Sequence, residues 1–127
     1  MIWVAAIIKD DKKILFGKRL SKHWEGTWWF PGWKIEFQEK LEAWLAREVF
    51  EEIWAKVLNS KFIAFTEDIF DNNKHYITFF YEVEIDSLNI INKEKTKTDE
   101  WRWFNKGEIP ENLFLPIKNL LSKWFLL

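Results

Sequence analysis

The chain has 127 residues, a formal net charge of −1 and no cysteine. That length holds one domain with a single sizeable core, and the charge gives no basic footprint for a nucleic-acid polymer. Without cysteine there is no disulfide framework, thiolate zinc site or cysteine nucleophile.

The apolar run from Trp3 to Ile8 reads as a strand; it is too short for the core of a signal peptide and no basic residue precedes it. A charged turn, Lys9 to Lys13, leads to a second strand, Ile14 to Phe16. From about Glu39 to Ile53 the pattern is helical. Leu41, Leu45, Val49 and Ile53 recur at steps of four, a stripe that buries against a sheet. Opposite them Glu48, Glu51 and Glu52 stand at i, i+3 and i+4 and share one face. Acidic residues on a helix are most often a solvated surface, but like charges stacked this way repel by roughly a few tenths of a kcal/mol per pair, which suggests a counter-ion. Hard oxygen ligands point to Mg²⁺ or Mn²⁺.

Lys61 to Ile69 reads as a strand ending in a turn at Asp71-Asn72-Asn73-Lys74. His75 to Ile85 is predicted as a long strand, with Tyr76, Thr78, Phe80 and Glu82 on one side and Ile77, Phe79, Tyr81 and Val83 on the other. Both sides are largely apolar, so it is expected to be central and covered twice. Asn89 to Thr98 reads as a polar loop and Glu100 to Phe104 as another strand. Leu113, Ile117, Leu120, Leu121 and Phe125 space as the stripe of a last helix, with Pro116 in its first turn. Strands between two helices predict an α/β fold, an α/β/α sandwich, with residues 1–127 as one domain. No apolar stretch approaches the ~18 residues of a membrane span, and a cytoplasmic setting is the expectation.

Residues 33–55 carry a longer pattern: Trp33, five residues, Glu39, seven residues, then Arg47-Glu48-Val49-Phe50-Glu51-Glu52-Ile53-Trp54-Ala55. This resembles the Nudix box, in which every charged position matches and both glycine positions are tryptophan here. Gly26-Thr27-Trp28-Trp29-Phe30-Pro31-Gly32-Trp33-Lys34-Ile35-Glu36-Phe37 is similar to the family's approach to its box. Lys74 to Phe80 and Asp99 to Phe104 resemble a small MutT-like branch that hydrolyses nucleoside triphosphates. The resemblance implies a Nudix-type α/β/α sandwich with a mixed central sheet and a divalent-metal-dependent pyrophosphohydrolase. It implies Glu48, Glu51 and Glu52 as ligands of Mg²⁺ or Mn²⁺, joined by the backbone carbonyl of Trp33. Glu48 is then the base that activates water, and Arg47 orients the carboxylates. Members of that branch are often homodimers, so a homodimer is among the expectations.

Other residues carry two readings. Arg19, Lys34, Phe30 and Trp101 are candidates to hold a small-molecule nucleotide substrate, by charge for the first two and by stacking for the aromatics. A solvated basic residue or a core aromatic is the plainer alternative. Glu94 and Glu100 lie where relatives sometimes supply an extra carboxylate, and a surface role is favoured for both. His75 heads a strand and reads as a structural or substrate-edge contact rather than a metal ligand. His23 sits in a loop with nothing to make it catalytic.

Ten tryptophans stand beside only four glycines, against a usual glycine share of roughly 7%. The resemblance puts Trp3, Trp29, Trp33 and Trp54 at family glycine positions, and Trp24 and Trp44 where glycine or another small residue fits. Trp28, Trp101 and Trp103 match tryptophans of the family, and Trp124 is unassigned. Either UGA codons meant as glycine are rendered here as tryptophan, or the indoles form a tryptophan-rich core or ligand platform. In the second case the Trp44 ring is expected to crowd the metal face. Three functions follow: hydrolysis of a nucleoside triphosphate to monophosphate and pyrophosphate, hydrolysis of another diphosphate such as ADP-ribose or a nucleotide sugar, or a catalytically impaired nucleotide-binding module.

Overall fold

The structure, a computed structural model, describes residues 1–34, 38–71, 73–87 and 89–123, with Lys34 described by its backbone alone. Ile35, Glu36 and Phe37 of the approach to the box, Asn72 of the expected turn, and Trp124 and Phe125 of the expected last helix lie outside the described residues.

The chain begins with β1 (Ile2–Asp10), whose side chains alternate between two cores. Trp3, Ala5 and Ile7 enter one cluster of buried residues, and Val4, Ala6 and Ile8 enter the other. A strand apolar on both faces must be covered on both, and the topology provides that cover. β1 pairs antiparallel with β2 (Lys13–Arg19) and with β4 (Gly32–Lys34), and parallel with β6 (His75–Ile85). β5 (Val57–Ile69) pairs antiparallel with β6, β3 (Trp28–Trp29) and β7 (Thr98–Asn105) pair antiparallel with β2, and the result is a seven-stranded mixed sheet.

Two helices cover it from opposite sides. α1 (Leu41–Ile53) puts Leu45, Val49 and Ile53 wholly into the core beside Val4, Ala6 and Ile8. Each such side chain contributes about 1.5–3 kcal/mol of transfer free energy before ordering entropy is counted. α2 (Leu115–Ser122) buries Pro116, Ile117 and Leu120 against Ala5, Ile7 and Phe114. Pro116 occupies its first turn, where the missing N–H costs no helical bond.

Several boundaries and one face differ from the expectation, and β1 and β2 both run beyond the expected Trp3 to Ile8 and Ile14 to Phe16. β5 starts at Val57 rather than Lys61, β7 starts at Thr98 rather than Glu100, and α1 starts at Leu41 rather than Glu39. β6 spans the expected residues between β1 and β5, and Tyr76, Thr78 and Phe80 are buried on one side. On the other side Tyr81 and Val83 are buried and Ile77 is exposed. α1 covers only one end of that face, so the strand is covered twice over part of its length.

Candidate active site

α1 ends where the chain turns sharply: residue 54 is left-handed, with φ 59°, and donates its N–H to the Phe50 carbonyl at 3.0 Å. The last carbonyls of a helix have no partner within it. Here the loop before β7 supplies two, as Ile91 N–H reaches the Ile53 carbonyl at 3.0 Å and Lys93 N–H the Glu52 carbonyl at 2.9 Å. That docking carries Glu94 onto the acidic side of α1. One carboxylate oxygen each of Glu48, Glu51 and Glu94 lies within 4.8 Å of the other two. Glu94, for which sequence favoured a surface role, thus stands together with two carboxylates of α1. The loop's partner is a backbone carbonyl, which leaves no side-chain signal in the sequence.

Glu52 stands beside this trio in another setting. It is buried, and its carboxylate accepts the Gly32 N–H at 2.9 Å. Gly32 has φ +124°, and a Cβ there would lie 2.4 Å from the Val4 carbonyl oxygen, so no other residue brings this N–H so close to β1 and α1 together. Burial pushes the Glu52 carboxyl well above its ordinary range; the Gly32 N–H opposes the shift and Glu48 and Glu94 add to it. Burial, reinforced by Glu51, raises Glu48 to about 7. A site that holds carboxylates in this condition favours either a bound proton or a bound cation. The donors are all oxygen, which suits a hard divalent ion.

Cations flank the cluster. Arg47 ion-pairs with Glu51 at 2.7 Å and Glu39 at 3.3 Å, and lies 3.7 Å from Glu48. Lys97, which sequence did not single out, pairs with Glu94 at 2.9 Å and joins Arg19, Trp29, Gly32, Trp33, Glu48 and Glu52 in lining a cleft of about 250 Å³. Arg19 is buried, its guanidinium 4.2 Å from the Trp29 ring centre and 4.1 Å from that of Phe114. It donates two hydrogen bonds to the His23 carbonyl, at 3.2 and 2.9 Å, and pairs with no carboxylate among the described residues. Burial lowers it to about 10.

Phe30 is wholly buried, its ring against Phe16 and Phe80. It has no face to offer a base, which corrects its expected role in stacking. Trp101 is partly buried against both cores and packs over Gly17, where a Cβ would meet its ring at 2.6 Å. The Lys34 side chain lies outside the described residues. Trp33 is buried in the cleft wall, stacked on Trp29 at 5.1 Å between ring centres, and its Nε1–H donates to the Phe30 carbonyl. Trp44 lies in the core with Leu45 and Val49 rather than over the carboxylates, and the Arg47 guanidinium stands 4.2 Å from its ring centre. Glu100 pairs with Arg102 at 2.7 Å, and His75 lies 2.7 Å from Glu67 at the surface.

The sheet between two helices, with carboxylates of α1 facing a cleft at its edge, defines a small α/β/α enzyme. A family model described as the NUDIX domain matches residues 2–125. The MutT NUDIX hydrolase from Burkholderia pseudomallei has the same fold, with a TM-score of 0.89 at 23% identity over 98% of this chain and 97% of that one. The MutT protein from Methanosarcina mazei Go1 gives 0.84 at 21% identity over 98% and 91%, and the MutT protein from Bacillus halodurans 0.74 at 21% over 96% and 79%. The chain belongs to the Nudix family and is a Nudix hydrolase. Among the described residues no helix is long and apolar enough to cross a membrane.

Proposed function

We propose that this Nudix hydrolase cleaves a nucleoside triphosphate, an oxidised or otherwise modified one included, to monophosphate and pyrophosphate with Mg²⁺ or Mn²⁺. The observation that carries this reading is the meeting of Glu48, Glu51 and Glu94 within 4.8 Å beside a cleft whose far wall holds the buried Arg19. Glu48, Glu51 and Glu94 would hold the ion, with Glu52 and the Trp33 carbonyl as the further donors that the resemblance implies. A divalent ion in such a site neutralises diphosphate oxygens and lowers the pKa of an attacking water.

The chain's own residues supply the rest. Glu48, raised to about 7, has a carboxylate matched to taking a proton from water near neutral pH. Arg47 holds Glu51 and Glu39 by charge-assisted hydrogen bonds and so fixes the direction of the carboxylates. Arg19, a guanidinium without a carboxylate partner among the described residues, suits a phosphate oxygen at the cleft. Lys97, tied to Glu94, keeps a second positive charge on the same rim.

The test is pyrophosphate release from a panel of nucleoside triphosphates with Mg²⁺, with Glu51→Gln alongside. Release that Glu51→Gln abolishes supports the reading, and an unchanged rate in that variant contradicts the metal assignment. Turnover of ADP-ribose or a nucleotide sugar with none of the triphosphates would move the substrate to those compounds. A second reading, a nucleotide-binding module of impaired activity, is favoured by the cleft itself. Its volume of about 250 Å³ falls below the ~300–1,000 Å³ of most small-molecule sites, because the Trp29 and Trp33 indoles fill its wall.

A further inference from the structure

Six residues other than glycine have positive φ among the described residues: Asp11, Trp24, Trp33, Gln38, Trp54 and Asn73. Asp and Asn tolerate this region because a short polar side chain can bond locally. A bulky residue there is an outlier. Half of the set is tryptophan, with φ of 60°, 101° and 59° at residues 24, 33 and 54.

Each of the three stands where the backbone, not the side chain, sets the requirement. Residue 54 follows the last residue of α1 and closes the helix by its N–H bond to the Phe50 carbonyl, the position at which helices most commonly place glycine. Its indole is half exposed, so no core demands it. Residue 24 lies in the turn closed by Gly26 N–H to the Arg19 carbonyl at 3.0 Å, and its own carbonyl accepts the Thr27 hydroxyl at 2.7 Å. Residue 33 follows Gly32, so two consecutive residues with φ of 124° and 101° run along β1. At φ near 100° an L residue is more strained than in the left-handed helical region.

We infer that residues 24, 33 and 54 are glycine in the protein as its own cell makes it, UGA codons rendered as tryptophan in this sequence being read there as glycine. The consequence falls on the active-site cleft. Glycine at 33 removes the indole stacked on Trp29 and widens the space between Arg19 and Glu48 toward the size of a nucleotide site. The same change gives up the ring's contacts with Trp3 and Phe114, at 5.3 and 5.0 Å between centres. The widening toward a nucleotide site rests on the nucleotide-hydrolase reading, whereas the identity of the three residues does not.

Peptide mass spectrometry of the protein isolated from its source cells tests the inference directly. Peptides spanning residues 24, 33 and 54 are expected to carry glycine at all three, and tryptophan at any one of them overturns it. In parallel, the chain of this sequence is compared by thermal unfolding with Trp54→Gly, the one of the three whose indole is half exposed, and with a Trp28→Gly control at a position of ordinary φ. Relief of the left-handed strain at the end of α1 is expected to raise the midpoint by roughly 3–6 °C, while the control lowers it. A Trp54→Gly variant that melts below the unsubstituted chain overturns the inference at that residue. Neither readout uses turnover, so glycine at the three positions in a protein that hydrolyses no triphosphate counts against the hydrolase substrate and not against the three glycines.

Discussion

The Gly32 N–H donates to the Glu52 carboxylate at 2.9 Å, joining the turn before the box helix to the innermost carboxylate of the cleft. One bond therefore serves both the fold and the chemistry. Glu52→Gln keeps an oxygen that accepts this N–H and removes only the charge. It is expected to fold with an unchanged or higher unfolding midpoint and to lose at least ~10–100-fold in turnover. Glu52→Ala leaves the buried N–H without a partner and is expected to lose about 1–3 kcal/mol of stability as well. Urea unfolding together with kcat separates the two effects, and equal turnover in wild type and Glu52→Gln would remove Glu52 from the site.

Glu94→Gln tests whether the loop before β7 completes the cluster. With its oxygen among those of Glu48 and Glu51, the substitution is expected to weaken Mn²⁺ binding by ~10-fold or more, read by calorimetric titration, while metal-free stability stays nearly constant. Unaltered affinity would leave Glu94 as no more than the surface partner of Lys97.

Stability of the metal-free protein should depend on pH through Glu48. Its folded value of about 7 lies above the ordinary glutamate value of 4.5, so between those values the folded state holds a proton that the unfolded chain has released. Stability is then lost as pH rises through that window, by up to ~3 kcal/mol. Unfolding in chelator at pH 5 and pH 8 measures it. Added Mg²⁺ is expected to restore most of the loss at pH 8, and a metal-free protein equally stable at both values would refute the assignment.

Gly32→Ala is expected to be among the most damaging single substitutions. Its Cβ would meet the Val4 carbonyl oxygen at 2.4 Å on a backbone at φ +124°. A loss of roughly 2–4 kcal/mol is expected in denaturant unfolding, together with loss of turnover because Glu52 is no longer held. A midpoint equal to wild type would show that β4 can move away from β1 at little cost.

What sequence alone determined was local and periodic. The unbroken apolar run from Trp3 to Ile8 marked a strand, and the fourfold steps of Leu45, Val49 and Ile53 marked the face of α1 that packs on the sheet and put Glu48 and Glu51 off it. Those follow from the repeats of strand and helix, which any short window displays. Tertiary structure decided the rest, because it depends on residues far apart in the chain. The parallel pairing of β1 with β6 and the docking of residues 91 and 93 on the end of α1 bring Glu94 and Lys97 to the carboxylates. The packing of Arg19 between Trp29 and Phe114 gives a buried guanidinium without a carboxylate partner among the described residues, and Phe30 packs inward on Phe16 and Phe80 while Trp33 lines the cleft wall. Periodicity selects the face of an element, whereas only the pairing of distant strands fixes what that face meets.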